Sequence, residues 1–354
     1  MQFAQIEDSG RLLPPEDAVA SVGLRYVSSD DKGMTRKRHG KGFSYLGPDG
    51  HPIHDKMVLY RIKHLAIPPA WTDVWICSNP NGHLQATGFD ARGRKQYRYN
   101  PEFRALRESA KFEHILLFAA ALPKIRERVS HDMAKHGLPR DKVLATIVHL
   151  LETTLVRVGN KDYAKDNGSY GLTTLRDPHV DVEGTALRFH FKGKSGKTWN
   201  LKLRDRRVAT IVRALQDLPG QQLFQYLDAD GECQSVSSSD VNDYLREISG
   251  REITAKDFRT WAGTVMVAEA LHELEPGTTQ AAAKRTVKAV IAQAAERLGN
   301  TIAICRKCYV HPVVVDAYLK GEFKLHIRKA GEDDPAKLSP AEAAVHRFLI
   351  ARLS

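Results

Sequence analysis

The chain has 354 residues, 42% of them hydrophobic, with 53 Lys and Arg against 42 Asp and Glu, a formal net charge of +11 and a pI near 9.4. That is enough apolar content for a core spread over two domains, and the excess of cations favours nucleic acid or an anionic surface as partner. Several classes are excluded: no apolar run approaches the roughly 18 residues of a membrane span, residues 1–18 lack the basic and apolar blocks of a signal peptide, and four cysteines make no disulfide framework, which points to a reducing, cytoplasmic compartment.

Residues 1–104 read as a small β-rich domain. Val74 to Cys77 and His83 to Phe89 are strand-like runs flanking Asn79-Pro80-Asn81-Gly82, and Asn-Gly between such runs signals a hairpin. Two stretches here are basic and rich in glycine, Lys32 to Gly42 and Asp90 to Tyr99. The second interleaves Arg94, Lys95 and Arg98 with Tyr97 and Tyr99, which suits phosphate contact with base stacking; a solvated loop beside two core tyrosines is the plainer reading.

After Asn100-Pro101 the pattern turns helical, and residues 105–328 read as a larger, mainly helical domain. Phe112, Ile115, Leu116, Ala119 and Leu122 repeat at helical spacing, and Gly137-Leu138-Pro139 ends the next helical stretch. A further helix starts at Asp141, with Val143, Leu144, Ile147, Val148, Leu151 and Leu155 apolar, and ends at Arg157. One β segment interrupts: Leu187, Phe189 and Phe191 share one face, while Arg188, His190, Lys192 and Lys194 share the other. Ser195-Gly196 turn the chain, Trp199, Leu201 and Leu203 return it, and Lys194 and Lys197 stand at the tip. Helices follow near 205–217, 239–249, 255–274 and 279–298, with Gly250 and Gly299 suited to the positions just past two of them. Residues 329–354 read as a polar linker, 329–338, and a C-terminal helix opened by the capping box Ser339-Pro340-Ala341-Glu342, burying Val345, Phe348 and Leu349. The fold class expected is therefore α+β.

Chemistry concentrates in Cys305-Arg306-Lys307-Cys308-Tyr309. A tyrosine beside fixed cations has its phenolate favoured, and a tyrosine acting on a DNA phosphate can hold a broken strand covalently. Such phosphoryl transfer also needs cations on the non-bridging oxygens and an acid for the leaving oxygen. Arginine suits the clamp through its planar fork; lysine suits the acid because its pKa falls among other cations. Arg157, Arg259 near the start of a helix that Thr254 caps, and Lys194 at a hairpin tip are the candidates. The N-terminus of that capped helix adds backbone donors for a phosphate.

Taken in order, Arg157-Val158-Gly159-Asn160, Tyr163, Gly171-Leu172-Thr173-Thr174-Leu175, Phe191-Lys192-Gly193-Lys194, Lys256-Asp257-Phe258-Arg259-Thr260 and Tyr309 resemble the catalytic domain of type IB DNA topoisomerases, in the small poxvirus-like and bacterial branch. Gly93 to Tyr99 resembles that branch's DNA-contacting segment, so the likeness covers about residues 20–325. The resemblance implies that Tyr309 is the nucleophile of a 3′-phosphotyrosyl bond, that Arg157 and Arg259 stabilise the transition state, that Lys194 protonates the leaving 5′-oxygen, and that Lys256 lies near the phosphate. Where the poxvirus enzymes have His, this chain has Asn300, which can donate a hydrogen bond but cannot act as an acid. It further implies DNA contacts at Arg94, Lys95, Gln96, Tyr97, Tyr99, Tyr163 and Lys197, a monomer that clamps duplex DNA, and supercoil relaxation without ATP, metal or other cofactor in the nucleoid-containing cytoplasm.

Tyrosine recombinases share the constellation, but their second motif is His-x-x-Arg, where this chain has Lys256. A non-enzymatic, architectural DNA-binding protein in which Tyr309 only stacks is the other alternative. Cys305 and Cys308 have the spacing of half a zinc site, with no second pair to complete it, and no Walker loop or GxGxxG occurs. His149, inside an apolar helix, reads as a satisfied core histidine.

Overall fold

The computed structural model describes residues 15–40, 42–274, 279–327 and 337–353. The chain divides into two compact units, Met1–Glu113 and His114–Ser354. The architecture is α+β, as the sequence implies.

The first unit holds α1 (Pro15–Ala20), α2 (Lys56–His64) and five strands, β1 (Met34–His39), β2 (Gly42–Leu46), β3 (Thr72–Ile76), β4 (Leu84–Phe89) and β5 (Lys95–Tyr99). These form one antiparallel sheet in the order β2-β1-β3-β4-β5. Alternation turns Met34, Val74, Ile76 and Ala86 to one side, where Ile62 of α2 covers them. Asp55 caps α2, accepting from Met57 N at 2.7 Å. Of the basic stretch Lys32 to Gly42, Met34 to His39 form β1, Gly40 follows at φ 56°, Lys41 lies outside the described residues and Gly42 opens β2. Only Met34 of β1 is buried, so the strand carries no apolar alternation for a sequence to reveal. Its Arg36 is structural: the guanidinium lies 4.1 Å from the Phe43 ring centroid and donates to the carbonyls of Pro68 (3.0 Å) and Trp71 (2.6 Å).

The second unit is mainly helical. α3 (Pro101–Met133), whose first 13 residues belong to the first unit, is one 33-residue helix running through Pro123, where the sequence suggests two stretches. Proline removes one N–H from the ladder, but Phe118, Leu122 and Ile125 around it are buried, and their packing holds the helix together. α4 (Arg140–Thr154) buries nine residues. After α5 (Lys161–Asn167) come β6 (Val180–Glu183), β7 (Ala186–Lys192) and β8 (Thr198–Arg204). The expected hairpin is β7–β8, with Leu187, Phe189 and Phe191 buried and Arg188, His190 and Lys192 exposed. Four-residue β6 adds a third strand too short to read beforehand.

Then follow α6 (Arg206–Gln216), the small pair β9 (Gln225–Leu227) and β10 (Cys233–Ser235), α7 (Ser238–Ser249), α8 (Ala255–His272), α9 (Gln280–Arg297), α10 (Ile302–Tyr309), α11 (Pro312–Leu319) and α12 (Pro340–Leu353). Gly250 and Gly299 take positive φ just past α7 and α9. His149 is bonded to Asp205, the N-cap of α6, at 3.0 Å. Val345 and Leu349 of α12 are fully buried, while Phe348 is half-buried, its ring edge-on to Phe323. Most of the expected linker, 329–336, lies outside the described residues. Among the described residues no helix is long and apolar enough to cross a membrane, and no three or more His, Cys, Asp or Glu side chains gather where they could hold a metal ion.

Candidate active site

Arg157, Lys194, Lys256, Arg259 and Tyr309 line one cavity of about 310 Å³ in the second unit. Each arrives there for a local reason.

Arg157 does not end α4, as the sequence suggests. The helix stops at Thr154, because Leu155 takes the left-handed conformation at φ 58°, and Arg157 lies two residues beyond in extended chain. That segment is pinned to the Gly171–Thr174 turn: Leu172 N donates to Arg157 O (2.9 Å) and Thr173 N to Val158 O (2.6 Å). A Cβ on Gly171 would stand 2.6 Å from Arg157 O and from Gly159 Cα, so only glycine permits this approach. The same turn reaches the hairpin, since Tyr170 N donates to Lys192 O (2.8 Å).

Lys194 opens a 3-10 turn at the hairpin tip, after Gly193. Trp199 seats this tip: its ring would collide with a Cβ on Gly193 (2.6 Å) and with one on Gly299 (2.6 Å), so it packs against both backbones. Lys197 donates to Glu296 O (3.1 Å), tying the tip to the end of α9.

Lys256 and Arg259 come from the start of α8, where Thr254 is the N-cap, as expected, and the Asp257 side chain reaches back to it (Thr254 N to Asp257 Oδ2, 2.8 Å). One expected backbone donor is taken: Ala255 N donates to Asn242 Oδ1 (3.0 Å). Lys256 is exposed; Arg259 is 3% exposed. Arg259 Nη1 donates to Leu155 O and Nη2 to Leu298 O (2.5 Å), while its buried Nε has no acceptor among the described residues. Burial, and then the neighbouring positive Arg157, push the Arg259 pKa below the ordinary arginine value, with Tyr309 opposing them.

Asn300 follows Gly299 at the end of α9 and does not line the cavity. Its Oδ1 accepts from Arg157 Nη2, which also lies 3.5 Å from Gly299 O. Both arginines thus meet the end of α9, where a helix presents unpaired carbonyls and the negative end of its dipole.

Tyr309 is the last residue of α10, so the basic stretch around it is helical. The Arg259 guanidinium carbon lies 5.1 Å from the Tyr309 ring centroid, whereas Arg306 and Lys307 are exposed. The cation that faces the phenol ring comes from far along the chain. Gly263 of α8 passes directly behind: a Cβ there would stand 2.5 Å from Tyr309 O and 3.1 Å from Tyr309 Cβ. His311 N donates to Thr264 Oγ1 at 3.1 Å, fixing the chain just after the tyrosine. Gly263→Ala gains about 1 kcal/mol of helix propensity but overpacks against backbone, at about 1–3 kcal/mol. It should lower the melting temperature and displace the tyrosine, slowing any reaction at its oxygen; thermal melting beside a cleavage assay checks both.

The N-terminal candidates occupy two faces of β5. Lys95, Tyr97 and Tyr99 alternate with Gln96. Tyr97, 47% exposed, stacks on Tyr99 with centroids 6.0 Å apart. Lys95 donates to Ser29 Oγ (3.0 Å). Arg94 and Gln96 both donate to Asp90 Oδ2, at 2.7 and 2.9 Å, and the bond from Arg94 leads in lowering the Asp90 pKa to about 2. The side chain of Tyr163 lies outside the described residues. The sequence reading missed Gly263, Trp199 and the carbonyls of Leu155 and Leu298. Gly263, alone inside a helical run, was the one with a visible signal.

Two families match the chain: "Eukaryotic DNA topoisomerase I, catalytic core" over residues 100–329 and "Bacterial DNA topoisomerase IB, N-terminal domain" over residues 42–90. The chain is 34% identical over 305 residues to DNA topoisomerase 1B of Acanthamoeba polyphaga mimivirus, covering 82% of this chain and 90% of that one. It is 21% identical over 274 residues to DNA topoisomerase 1B of Vaccinia virus (strain Copenhagen), covering 75% and 84%, and 22% identical over 223 residues to DNA topoisomerase 1 of Mycosarcoma maydis, covering 58% and 21%.

Proposed function

The chain belongs to the type IB DNA topoisomerases, and from that premise we propose that it relaxes supercoiled duplex DNA by nicking one strand through Tyr309, letting the free end rotate, and resealing. The observation that carries this reading is the meeting of Arg157, Lys194, Lys256, Arg259 and Tyr309 in one cavity, from segments scattered between residues 157 and 309.

The chemistry follows from the charges. The Tyr309 oxygen attacks the scissile phosphorus as the phenol gives its proton to water; the new bond is a 3′-phosphotyrosyl ester, and the bond to the 5′-oxygen breaks. Arg157 and Arg259, close enough to depress the Arg259 pKa, repel one another. A phosphate between them relieves that repulsion, and the extra negative charge of the transition state relieves it further. The Arg259 guanidinium, fixed on two carbonyls and lining the cavity, presents a pre-set positive charge to a non-bridging oxygen. Lys194 protonates the departing 5′-oxygen, and Lys256 contacts the phosphate. Asn300 holds Arg157 by its amide oxygen. The phosphotyrosyl bond keeps the energy of the broken phosphodiester, so resealing needs neither ATP nor metal.

The first unit supplies further phosphate and base contacts through β5, and the protein works as a monomer clamped on DNA in the nucleoid. Relaxation of a supercoiled plasmid in EDTA without nucleotide, with a covalent adduct trapped by denaturant, is the test. Absence of both overturns the reading, and products joined between separate duplexes would mark a recombinase instead.

Lys194→Ala should slow cleavage of an ordinary duplex by about 10²–10⁴-fold, the range for general acid catalysis. A substrate with a 5′-bridging sulfur, whose thiolate leaves without a proton, should lose far less. Single-turnover cleavage of the two substrates checks this, and equal losses remove Lys194 from the acid's role.

A further inference from the structure

The match to the topoisomerase catalytic core ends at residue 329, before α12 begins at Pro340. α12 is nonetheless built into the frame of the active site. Glu342, in its first turn, is part of the capping box: its Oε2 accepts from Ser339 N at 2.8 Å. The same carboxylate has two further partners. It forms a two-pronged pair with Arg126 of α3, Nη1 to Oε2 at 3.1 Å and Nη2 to Oε1 at 2.9 Å. Its Oε1 also accepts from Trp261 Nε1 of α8 at 3.0 Å.

Arg126 in turn reaches α4, donating from Nε to Glu152 Oε1 at 2.7 Å. The cluster is well shielded, with side chains 17% exposed at Arg126 and 12% at Glu342, and Trp261 is 2% exposed. Burial alone would lower the Arg126 pKa, but Glu152 and Glu342 outweigh it and leave the value raised.

The positions along the helices give this cluster its meaning. Glu152 lies in the last turn of α4, five residues before Arg157, and Trp261 lies two residues after Arg259. One carboxylate of α12 therefore braces the two helices from which the cavity's arginines issue. A capping role alone would need only the reciprocal bonds between Ser339 and Glu342, and a packing role alone would need only the buried Val345 and Leu349. Neither accounts for a buried bidentate charge pair that also satisfies an indole N–H.

We propose that Glu342 is a positioning residue for strand cleavage: through Arg126 and Trp261 it fixes α8 against α4, and so the separation of Arg259 from Arg157 at the phosphate. The inference rests on the proposed roles of those arginines. It makes the C-terminal helix part of the catalytic apparatus without contact to DNA.

The test uses the full chain, with single-turnover cleavage at saturating duplex, duplex Kd and melting temperature measured for each variant. Glu342→Ala should slow cleavage about 10- to 100-fold, as expected for a small misplacement of aligned groups, with Kd unchanged. Glu342→Gln, which keeps the shape but not the charge, should fall between Ala and wild type. Trp261→Phe, which removes the indole N–H together with part of the buried ring, should slow cleavage in the same direction and, unlike Val345→Ala, shift the diastereomer ratio. These two milder variants carry the test if Glu342→Ala does not fold.

Val345→Ala is the control, since it weakens the packing of α12 and touches none of the cluster's polar contacts. It should lower the melting temperature and cleave at the wild-type rate. Sulfur in place of one non-bridging oxygen reads the arginines directly: the rate ratio of the two diastereomers should shift in the Glu342 variants and not in Val345→Ala. Wild-type cleavage rates in the Glu342 variants, a loss confined to Kd, or equal slowing by Val345→Ala overturns the inference. Failure of the wild type itself to form an adduct would instead sink the proposed function.

Discussion

Tyr309→Phe should give no covalent protein–DNA adduct and no relaxation, while duplex affinity and melting temperature stay at wild-type values. The substitution removes one oxygen and leaves the ring, and the ring makes the packing contacts: Tyr309 lies against the main core and beside the Arg259 guanidinium. Its backbone is held independently by Gly263 and by the His311–Thr264 bond. The fold therefore has no reason to change, and the loss is chemical. Denaturing electrophoresis of trapped complexes, beside a native binding titration, measures both arms. Two other hydroxyls line the cavity, Ser169 and Tyr170. An adduct persisting in Tyr309→Phe and mapped to either of them would reassign the nucleophile. The Tyr170 ring is engaged elsewhere, 4.4 Å from the His179 ring, which argues against it.

Arg259→Ala should slow cleavage by about 10²–10³-fold, the loss typical of one pre-organised donor at a developing charge. It should also destabilise the protein, since the buried carbonyls of Leu155 and Leu298 lose a partner at about 1–3 kcal/mol each. Arg259→Lys is the more telling variant. It keeps a positive charge, but a single ammonium cannot bridge two carbonyls and still offer a donor to phosphate. Cleavage by the lysine variant should therefore stay close to that of alanine, measured at saturating DNA. Recovery to near wild type would mean that charge alone is needed and that the fixed fork is irrelevant.

Much of this arrangement was legible because its signals are local. Helix periodicity, the Thr254 cap, the Ser339–Glu342 box, and the alternation of Leu187, Phe189 and Phe191 are each decided within a few residues. What escaped depends on distant main chain. That Leu155 breaks α4 in a left-handed turn follows no local rule, since leucine is a poor residue for that conformation. That its carbonyl meets Arg259 depends on packing between α4 and α8. At Tyr309 the sequence neighbours Arg306 and Lys307 are turned outward by the helix, and the cation beside the ring is the distant Arg259, one of those the motif order had already gathered around the tyrosine. In the first unit, a count of cations could not reveal that Arg94 answers to Asp90 or that Arg36 stacks on Phe43.

Arg259 is anchored on the peptide backbone, at the carbonyls of Leu155 and Leu298, whereas Arg157 is held by the Asn300 side chain with Gly299 O at 3.5 Å. Every residue type supplies a carbonyl, so such an anchor persists when the side chains around it are exchanged. Natural variation can therefore rework the neighbourhood freely as long as the turn after α4 and the end of α9 keep their paths. Identities of 34% and 21% with two other members of the family are the scale of divergence such a frame tolerates. Deep mutational scanning should accordingly find Leu155 and Leu298 intolerant of proline and permissive to other apolar residues, and Arg157 and Arg259 permissive to nothing.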